Sequence, residues 1–223
     1  MKEKKDKLLL VYRFSSFGDI SMIVPVLRSF YQIYPDQKII FVSRHFVKPL
    51  FLEFANLTFK GVDFKLKYKG LKGIFMLYKE LKQERIIGIA DLHFVIRTFI
   101  LNFFFRLSLY KVASINKGRR ERKKLIRKRN KVFQPLTPMH FRYCEVFRKL
   151  GFPVDLNNHE YPNKPLLKDS YLEERINLGN KIIGIAPFAS NEGKTYPLDQ
   201  IKQAQEDFLA KKHIGKLVLI PSD

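Results

Sequence analysis

The sequence predicts an α/β fold in which a parallel sheet is covered by helices. Three short apolar runs, residues 8–12, 39–42 and 86–90, have the length and composition of strands that are buried on both faces. Segments with apolar residues at helical spacing lie between them, and strands that alternate with helices pair in parallel. We therefore expect a Rossmann-like parallel-sheet domain in the first part of the chain.

The first strand leads into a tight loop and then a helix. Residues 15–19 form a turn of mostly small and polar residues. The apolar residues after it recur at helical spacing: Ile20, Ile23, Val24, Leu27 and Tyr31. Because open α/β sheets bind ligands just beyond the carboxyl ends of their strands, this loop is a default place for chemistry. Asp19 is its only carboxylate.

Asp19 has two interpretations. Its carboxylate can stabilise the start of the helix by about 1 kcal/mol, because it can accept a free backbone N–H and it counters the helix dipole. Alternatively, a carboxylate at the mouth of a sheet, beside Gly18 where a ligand can approach closely, can act as a general base. The loop alone favours the first interpretation, and the second needs support from the rest of the chain.

The alternation of helices and strands continues after the second strand. We predict a short helix over residues 45–54, a weakly alternating strand over residues 62–68 and a helix over residues 71–85. The third buried strand follows at residues 86–90. These elements complete the pattern of a parallel α/β domain.

A second polar loop follows the third buried strand. It carries Asp91 and His93, and Arg97 lies one turn into the next helix. A helix cap at Asp91 and a hydrogen-bonded, partly buried His93 are the plainer interpretations of these residues. Both nevertheless lie at the same edge of the predicted sheet as Asp19.

Residues 94–112 are the one stretch that resembles a membrane span. They are rich in Phe and Leu, but they contain Arg97, Asn102 and Arg106, each of which would be costly at the centre of a bilayer. We therefore predict a helix that packs on the sheet. An interfacial helix at a membrane surface is the second interpretation, since such helices are basic and rich in Phe.

A dense basic segment begins at Lys117. Residues 117–131 hold ten Lys or Arg and a single Glu. Such a run is most often a solvated face, but this density of charge repels itself and is stabilised by a polyanion, and Arg side chains match the geometry of phosphate. The helix predicted after it contains Tyr143 and Leu150 and ends at Gly151.

A second domain is predicted after a polar linker over residues 154–165. Residues 181–186 predict a new buried strand, residues 187–197 a loop of small residues, and residues 198–211 a helix before a last strand. We assign residues 1–165 to the first domain. Residues 166–223 form the first βαβ part of a second Rossmann-like domain.

The composition indicates an acidic partner. Lys and Arg number 42 against 21 Asp and Glu, so the formal charge is +21, and nucleic acid, anionic lipid headgroups or phosphorylated sugars would match it. Cys144 is the only cysteine, which excludes an internal disulfide and a Cys-based metal cluster and fits a reducing cytoplasm. The first apolar run is too short for the core of a signal peptide. The His residues show no metal-ligand spacing.

Five groups of residues, spread over nearly the whole chain, carry a resemblance to a known family. They are Arg13-Phe14-Ser15-Ser16 with Gly18-Asp19-Ile20 and Pro25-Val26-Leu27-Arg28; Asp91-Leu92-His93 with Arg97; Lys117-Gly118-Arg119-Arg120; Arg142-Tyr143 with Leu150-Gly151; and Ile183-Gly184-Ile185-Ala186-Pro187 with Ser190, Gly193, Lys194, Tyr196 and Pro197. Each group is weak alone. In this order they resemble glycosyltransferase family 9, the heptosyltransferases that build the inner core of lipopolysaccharide.

The resemblance implies the GT-B fold, in which two Rossmann-like domains face each other across a cleft. It implies that Asp19 is the general base that deprotonates an acceptor hydroxyl for direct, inverting displacement at the anomeric carbon of the donor. It also implies that Ser190 and Lys194 bind the phosphates of a nucleotide-sugar donor such as ADP-heptose. No metal or other cofactor is expected, because cationic side chains and helix N-termini can neutralise the leaving group.

The resemblance further implies a phosphorylated glycolipid as acceptor. We call the carboxyl edge of the first domain's sheet, with Asp19, Asp91 and His93, the rim. We expect acceptor contacts from the rim and from the basic segment, namely Gly18, His93, Arg97, Arg119, Arg120 and Arg122. The basic segment could instead hold the anionic inner face of the cytoplasmic membrane. The protein is therefore expected in the cytoplasm, with peripheral attachment to that membrane as an option.

The chain departs from the family in its length. A GT-B enzyme needs two domains of about 150 residues each, and this chain stops one βαβ unit into the second. We expect either a fragment of a longer enzyme or a degenerate copy. The alternative function is a nucleic-acid or anionic-surface binding protein without catalysis, for which the charge of +21 is the argument. Nucleic acid is the less expected partner, since the chain has no RNP aromatics, zinc finger or GXXG clamp.

Overall fold

The structure is a computed structural model that describes residues 7–157 together with residues 159, 202, 206 and 210. The chain divides into two compact units, Met1–Pro162 and Asn163–Asp223, and the description below concerns the first unit. The strand, loop and helix predicted for the second domain lie outside the described residues. They stay predictions, as does the boundary at residue 165.

The first unit is built on a sheet of five parallel strands. In chain order these are β1 (Leu8–Tyr12), β2 (Lys38–Ser43), β3 (Leu57–Gly61), β4 (Ile86–Asp91) and β5 (Val112–Ser114), and their order across the sheet is β3-β2-β1-β4-β5. The central strand β1 pairs Tyr12 with Val42 on one side and with Asp91 on the other. The carboxyl ends of these three strands are therefore level. The predicted parallel α/β fold is confirmed.

The described part of the first unit has six α-helices and one 3₁₀ helix, between the strands and after them. They are α1 (Phe17–Ser21), α2 (Ile23–Ile33), the 3₁₀ helix (His45–Phe51), α3 (Gly70–Leu81), α4 (Ile96–Leu107), α5 (Arg119–Ile126) and α6 (Met139–Leu150). Helices α2 and α6 pack with Leu9 and Val11 on one face of the sheet. Helices α3 and α4 pack with Leu10 and Tyr12 on the other face. Because successive strand residues point to opposite faces, the apolar run of β1 is buried throughout, as predicted.

Three predicted elements are corrected by the structure. The strand predicted over residues 62–68 is wrong, since β3 lies just before it and Asp63 accepts the backbone N–H groups of Lys65 and Leu66 in a turn. The single helix predicted after the first loop is divided at Met22 into α1 and α2, and α1 begins at Phe17, inside the turn predicted over residues 15–19. The helix predicted within residues 94–112 ends at Leu107, and the end of that stretch forms β5.

Helix α4 packs on the sheet, as the sequence predicts. Leu101 and Phe105 are buried against it, while Arg97 and Arg106 are exposed. Among the helices in the described part of the chain, none is long and apolar enough to cross a membrane.

Candidate active site

The loops after β1 and β4 meet at the carboxyl edge of the sheet. These strands are neighbours, so the segment after β1, in which Asp19 belongs to the first turn of α1, lies beside the loop that carries His93. Arg13 joins the two loops. Its Nη1 donates to the backbone oxygen of Leu92 and its Nη2 donates to Oδ2 of Asp19, both at 2.5 Å. Arg13 is not among the predicted site residues, but the structure places it at the centre of the site.

The ion pair between Arg13 and Asp19 is unequal in exposure. The Arg13 side chain is 5% exposed and the Asp19 side chain 36%, so the buried cation presents the carboxylate to solvent. The guanidinium also lies over the ring of Tyr143, 5.8 Å from its centroid. Its Nε is buried without a hydrogen-bond partner among the described residues. Such a buried charge depends on its ionised partner, because an unpaired cation in this position would be costly.

Asp19 is ionised at neutral pH. Burial alone would raise the pKa of Asp19, but the charge of Arg13 and the hydrogen bonds from Ser16 and Arg13 outweigh it and hold the pKa below its usual value. The Ser16 hydroxyl donates to Oδ2 at 3.0 Å. Ser16 is also the residue that precedes α1, and it forms no side-chain cap of its own to that helix. Asp19 therefore stabilises the loop through Arg13 and Ser16 and still exposes part of its carboxylate.

His93 is a neutral residue that organises the loop. Its Nδ1 accepts the backbone N–H of Phe14 at 3.4 Å, and its Nε2 lies 3.2 Å from the Ser15 hydroxyl oxygen. Since Nδ1 is an acceptor, the proton of the neutral ring belongs on Nε2, which donates to Ser15. Burial, followed by the charges of Arg13 and Lys117, lowers the pKa of His93 to about 4. His93 thus cannot attract a phosphate by its charge at neutral pH.

The position of His93 is set by Asp91. Asp91 is fully buried at the end of β4, and its Oδ1 accepts the backbone N–H groups of His93 and Phe94 at 2.9 and 2.8 Å. Its Oδ2 accepts from the Asn102 amide at 2.7 Å. Asp91 therefore does not cap a helix, contrary to the prediction, but fixes the turn at His93 and Phe94 from a buried position.

Helix α6, on the face of the sheet opposite α4, supports the site. The Tyr143 hydroxyl donates to the backbone oxygen of Asp19 at 3.0 Å. Arg142, the residue before it, donates to the backbone oxygens of Thr137 and Asn116 at 3.0 Å and forms an ion pair with Glu121. Consecutive residues of α6 thus hold both helix α1, through Asp19, and the start of the basic segment.

The start of the basic segment forms the wall of a cleft. A cavity of about 360 Å³ is lined by residues 115–121 and by Phe94, the neighbour of His93. Lys117, Arg119 and Arg120 are the cations of this lining. Gly118 has a φ of +62° and lies against the Arg142 guanidinium, which a Cβ atom would approach to 2.4 Å. Glycine is therefore required where the chain turns into α5.

Lys117 is a site residue that is not among the predicted acceptor contacts. Burial, Arg13 and Arg119 lower its pKa, while Asp91 and Asp19 raise it. Its amine therefore shares one electrostatic environment with the rim carboxylates. The motif that contains it was noted in the sequence, but its proximity to Asp19 depends on contacts that span nearly a hundred residues.

Arg97 lies in a second cleft. This cavity of about 390 Å³ has Arg44, Lys65 and Arg97 as cations and Phe46 and Phe64 as aromatic walls. The Arg97 guanidinium stacks on the Phe64 ring, 5.4 Å from its centroid. Arg44 of this cleft and Lys117 of the first cleft both act electrostatically on His93, so cations of both clefts contribute to the potential at that residue.

The remaining predicted residues are placed as follows. Gly18 is exposed, and a Cβ atom there would meet no atom within 4 Å, so the space above the start of α1 is open. Arg122 is exposed on α5 and lines neither cleft. Ser190 and Lys194 lie outside the described residues. In the described part of the chain, no group of His, Cys, Asp and Glu side chains could hold a metal ion.

Solved structures with the same fold are known. A glycosyltransferase family 9 protein from Veillonella parvula has a TM-score of 0.61 at 15% identity, and the match covers 96% of this chain and 62% of that one. Escherichia coli heptosyltransferase WaaC with ADP has a TM-score of 0.52 at 14% identity, with coverage of 93% and 65%. WaaC with ADP-2-deoxy-2-fluoro heptose has a TM-score of 0.54 at 15% identity, with coverage of 93% and 66%.

The match is one of structure. No protein-family model matches the chain, and no curated protein matches its sequence. The chain has the GT-B type α/β fold of the family 9 glycosyltransferases over the matched part. It spans less than two thirds of the length of these solved structures. The resemblance inferred from the five motifs is thus confirmed at the level of the fold.

Proposed function

We propose that this chain acts in glycosyl transfer, and that the described unit is its acceptor domain. The donor would be a nucleotide-sugar, ADP-heptose or a relative. The acceptor would be the phosphorylated core of lipopolysaccharide or a related glycolipid. The fold supports the class, and the two clefts, whose cations act on His93, fit an acceptor that carries phosphates or acidic sugars. Reaction at such an acceptor would place the protein in the cytoplasm, on the inner face of the membrane.

The observation that carries this proposal is the presentation of Asp19. A buried arginine and a serine hydroxyl both bind Oδ2, so the acceptor hydroxyl would approach Oδ1. A carboxylate with a lowered pKa is ionised at neutral pH but is a weak base. It suits a reaction in which the hydroxyl becomes acidic only as it attacks. That description fits direct displacement at an anomeric carbon, with inversion.

The donor side of the proposal rests on the second unit. Ser190 and Lys194 would bind the diphosphate and stabilise the leaving nucleotide without a metal ion. In the described unit, Lys117 and the cations beside it could add to the positive potential on the acceptor side of the reaction.

A transfer assay tests the role of Asp19. The full chain would be incubated with ADP-heptose and a deacylated lipopolysaccharide core, and products would be identified by mass spectrometry. We expect Asp19→Asn to lower transfer by about 10²–10⁴-fold, because the amide keeps the shape and loses the base. Asp155→Asn is the matched control, because Asp155 is exposed and its carboxylate accepts the backbone N–H of Asn157. Unchanged turnover in Asp19→Asn would leave Asp19 a structural residue.

Acceptor binding without donor gives a second readout of the same proposal. Calorimetry with the deacylated core should show loss of affinity for Arg119→Gln/Arg120→Gln, which removes two cations of the first cleft. Lys128→Gln/Arg129→Gln removes the same charge from exposed positions outside both clefts. Equal losses in the two double variants would contradict a specific acceptor site.

Nucleic-acid binding is the second candidate, favoured by α5. This helix has no buried residue and carries two Arg at its start. Retention on duplex DNA that weakens steeply with salt, with no effect of ADP-heptose or core oligosaccharide, would support this candidate over the first.

A further inference from the structure

Helices α3 and α4 present an unusual number of large apolar side chains to solvent. On α4, Ile96, Phe99, Phe103 and Leu107 are exposed. They are three or four residues apart and therefore form one stripe along the helix. The opposite side of α4 packs on the sheet through Leu101 and Phe105. The exposed stripe is thus additional to the residues that the core requires.

The stripe continues onto α3. Leu71, Phe75 and Met76 are exposed on that helix. The ring of Phe75 lies 5.1 Å from that of Phe104, and Phe104 lies 5.9 Å from Phe103. The exposed residues of the two helices therefore form one surface, which we call the α3–α4 outer face. A contiguous apolar surface of this kind marks an interaction site.

The surroundings of this face are cationic. Arg106 and Lys72 are exposed on the same helices. Lys79 places its ammonium 5.0 Å from the centroid of the Phe75 ring, and Lys82 lies 5.5 Å from that of Tyr78. No Asp or Glu occurs between Asp91 and Glu121 in the sequence, a stretch that includes all of α4. On α3, Glu80 is already paired with Lys60 and Lys67.

We propose that the α3–α4 outer face binds the surface of an anionic lipid bilayer. Phenylalanine and leucine side chains would enter the boundary of the acyl chains, while Lys and Arg reach the headgroups. With twelve residues, α4 is about 18 Å long and would lie in the plane of the membrane. The choice of lipid over another partner rests in part on the proposed function, whose acceptor carries lipid chains.

Charge argues against a second copy of the chain as the occupant. Two such faces would bring Arg106 and the lysines of one copy against those of the other. Helix α4 has no carboxylate that could pair with them. An anionic bilayer supplies the missing charge along the whole face, at about 1 kcal/mol for each basic residue near the surface.

The position of α4 relates this face to the rim. The helix follows β4 directly, so its N-terminus lies at the carboxyl edge of the sheet near His93. Arg97, in the second cleft, belongs to the first turn of α4. A bilayer that contacts the outer face would therefore lie next to the rim, within reach of the sugars of a membrane-anchored acceptor.

Single tryptophans provide the most direct test, because the chain has no Trp of its own. Phe103→Trp reports on the outer face, where Phe103 is 53% exposed, and Phe141→Trp on α6, where Phe141 is 47% exposed on the other side of the sheet. With vesicles of phosphatidylcholine and about 30% phosphatidylglycerol, we expect a blue shift of emission for Phe103→Trp and none for Phe141→Trp. Equal shifts, or none in either, would overturn the proposal.

Vesicle sedimentation measures the contribution of the aromatic residues. Phe99→Gln/Phe103→Gln should lower partitioning onto the same vesicles by about tenfold or more, because the favourable transfer of two aromatic rings from water into the bilayer is lost. Phe141→Gln should have no effect. Binding that is unchanged in the double variant, or equal on phosphatidylcholine alone, would contradict the proposal. So would a wild-type dimer that the double variant converts to a monomer.

The two proposals fail in different ways. Transfer to the deacylated core should be the same in the wild type and in Phe99→Gln/Phe103→Gln, because that acceptor does not need a membrane. Vesicle binding without transfer would support membrane binding by the α3–α4 outer face and contradict the proposed glycosyl transfer. Transfer without vesicle binding would support glycosyl transfer and contradict membrane binding by this face.

Discussion

Replacing Gly118 by alanine should destabilise the protein through Arg142. Alanine at a φ of +62° costs about 1–2 kcal/mol in a left-handed conformation. Its Cβ would also lie 2.4 Å from Nη2 of Arg142. A guanidinium can often move aside, but this one is buried and holds Thr137, Asn116 and Glu121. Loss of one such charged hydrogen bond costs a further 1.5–3 kcal/mol or so.

The structure offers a matched control in Gly70. Its φ is +64°, and a Cβ atom there would meet nothing within 4 Å. Gly70→Ala should therefore lower the free energy of unfolding only by the cost of alanine in a left-handed conformation, about 1–2 kcal/mol. The difference between the two variants isolates the displacement of Arg142.

Urea denaturation followed by circular dichroism measures both variants. We expect Gly118→Ala to lose about 1.5–3 kcal/mol more free energy of unfolding than Gly70→Ala. Equal losses would show that Arg142 moves freely and does not fix the start of the basic segment. Gly118→Ala should also weaken binding of the acceptor core, because Lys117 and Arg119 flank the glycine.

Two further predictions concern His93 and Tyr143. The pKa of His93 is about 4 in the folded chain, whereas that of an unfolded histidine is about 6.5. At a pH between these two pKa values, the unfolded chain therefore binds a proton at His93 and the folded chain does not. The free energy of unfolding should fall by about 2–3 kcal/mol as the pH drops from 6.5 to 4. NMR of the His93 ring should show no titration above pH 5 or so, and an inflection near 6.5 would contradict it. Tyr143→Phe should cost about 1 kcal/mol in urea denaturation, because one hydrogen bond to the Asp19 carbonyl is lost and the ring under Arg13 stays. Tyr34→Phe, whose hydroxyl donates to Pro153 at an exposed site, should cost less, and the opposite order would count against the role of Tyr143.

The central strands could be predicted because their own side chains are buried. The runs of β1, β2 and β4 are apolar on both faces, so their composition alone identifies them. The edge strands could not be predicted in this way. Residues of β3 are mostly half-buried and β5 has three residues, so both depend on hydrogen bonds to a neighbour that local sequence does not show. Helix α5 has no buried residue and therefore no apolar period to detect.

The rim was predicted in part for the same physical reason. Asp19, Asp91 and His93 follow predicted strands, and topology alone places them at one edge. The contacts that give them their properties join distant parts of the chain. Arg13 reaches Leu92, and Tyr143 reaches Asp19. The sequence places Arg13 after a strand and Tyr143 on a helix, but local spacing does not indicate that they contact Leu92 and Asp19.

The structure changes the balance between the two interpretations of Asp19. A carboxylate that only stabilises a helix needs nothing beyond the backbone N–H groups and dipole of that helix, at a gain of about 1 kcal/mol. Here the same carboxylate is held by an arginine that is almost fully buried and whose Nε has no partner among the described residues. Burying a charge with incomplete hydrogen bonding costs more than a helix cap returns. The arrangement is therefore poor as a device for stability. It is suited to fixing one exposed carboxylate beside open space, which a reaction at the rim would require.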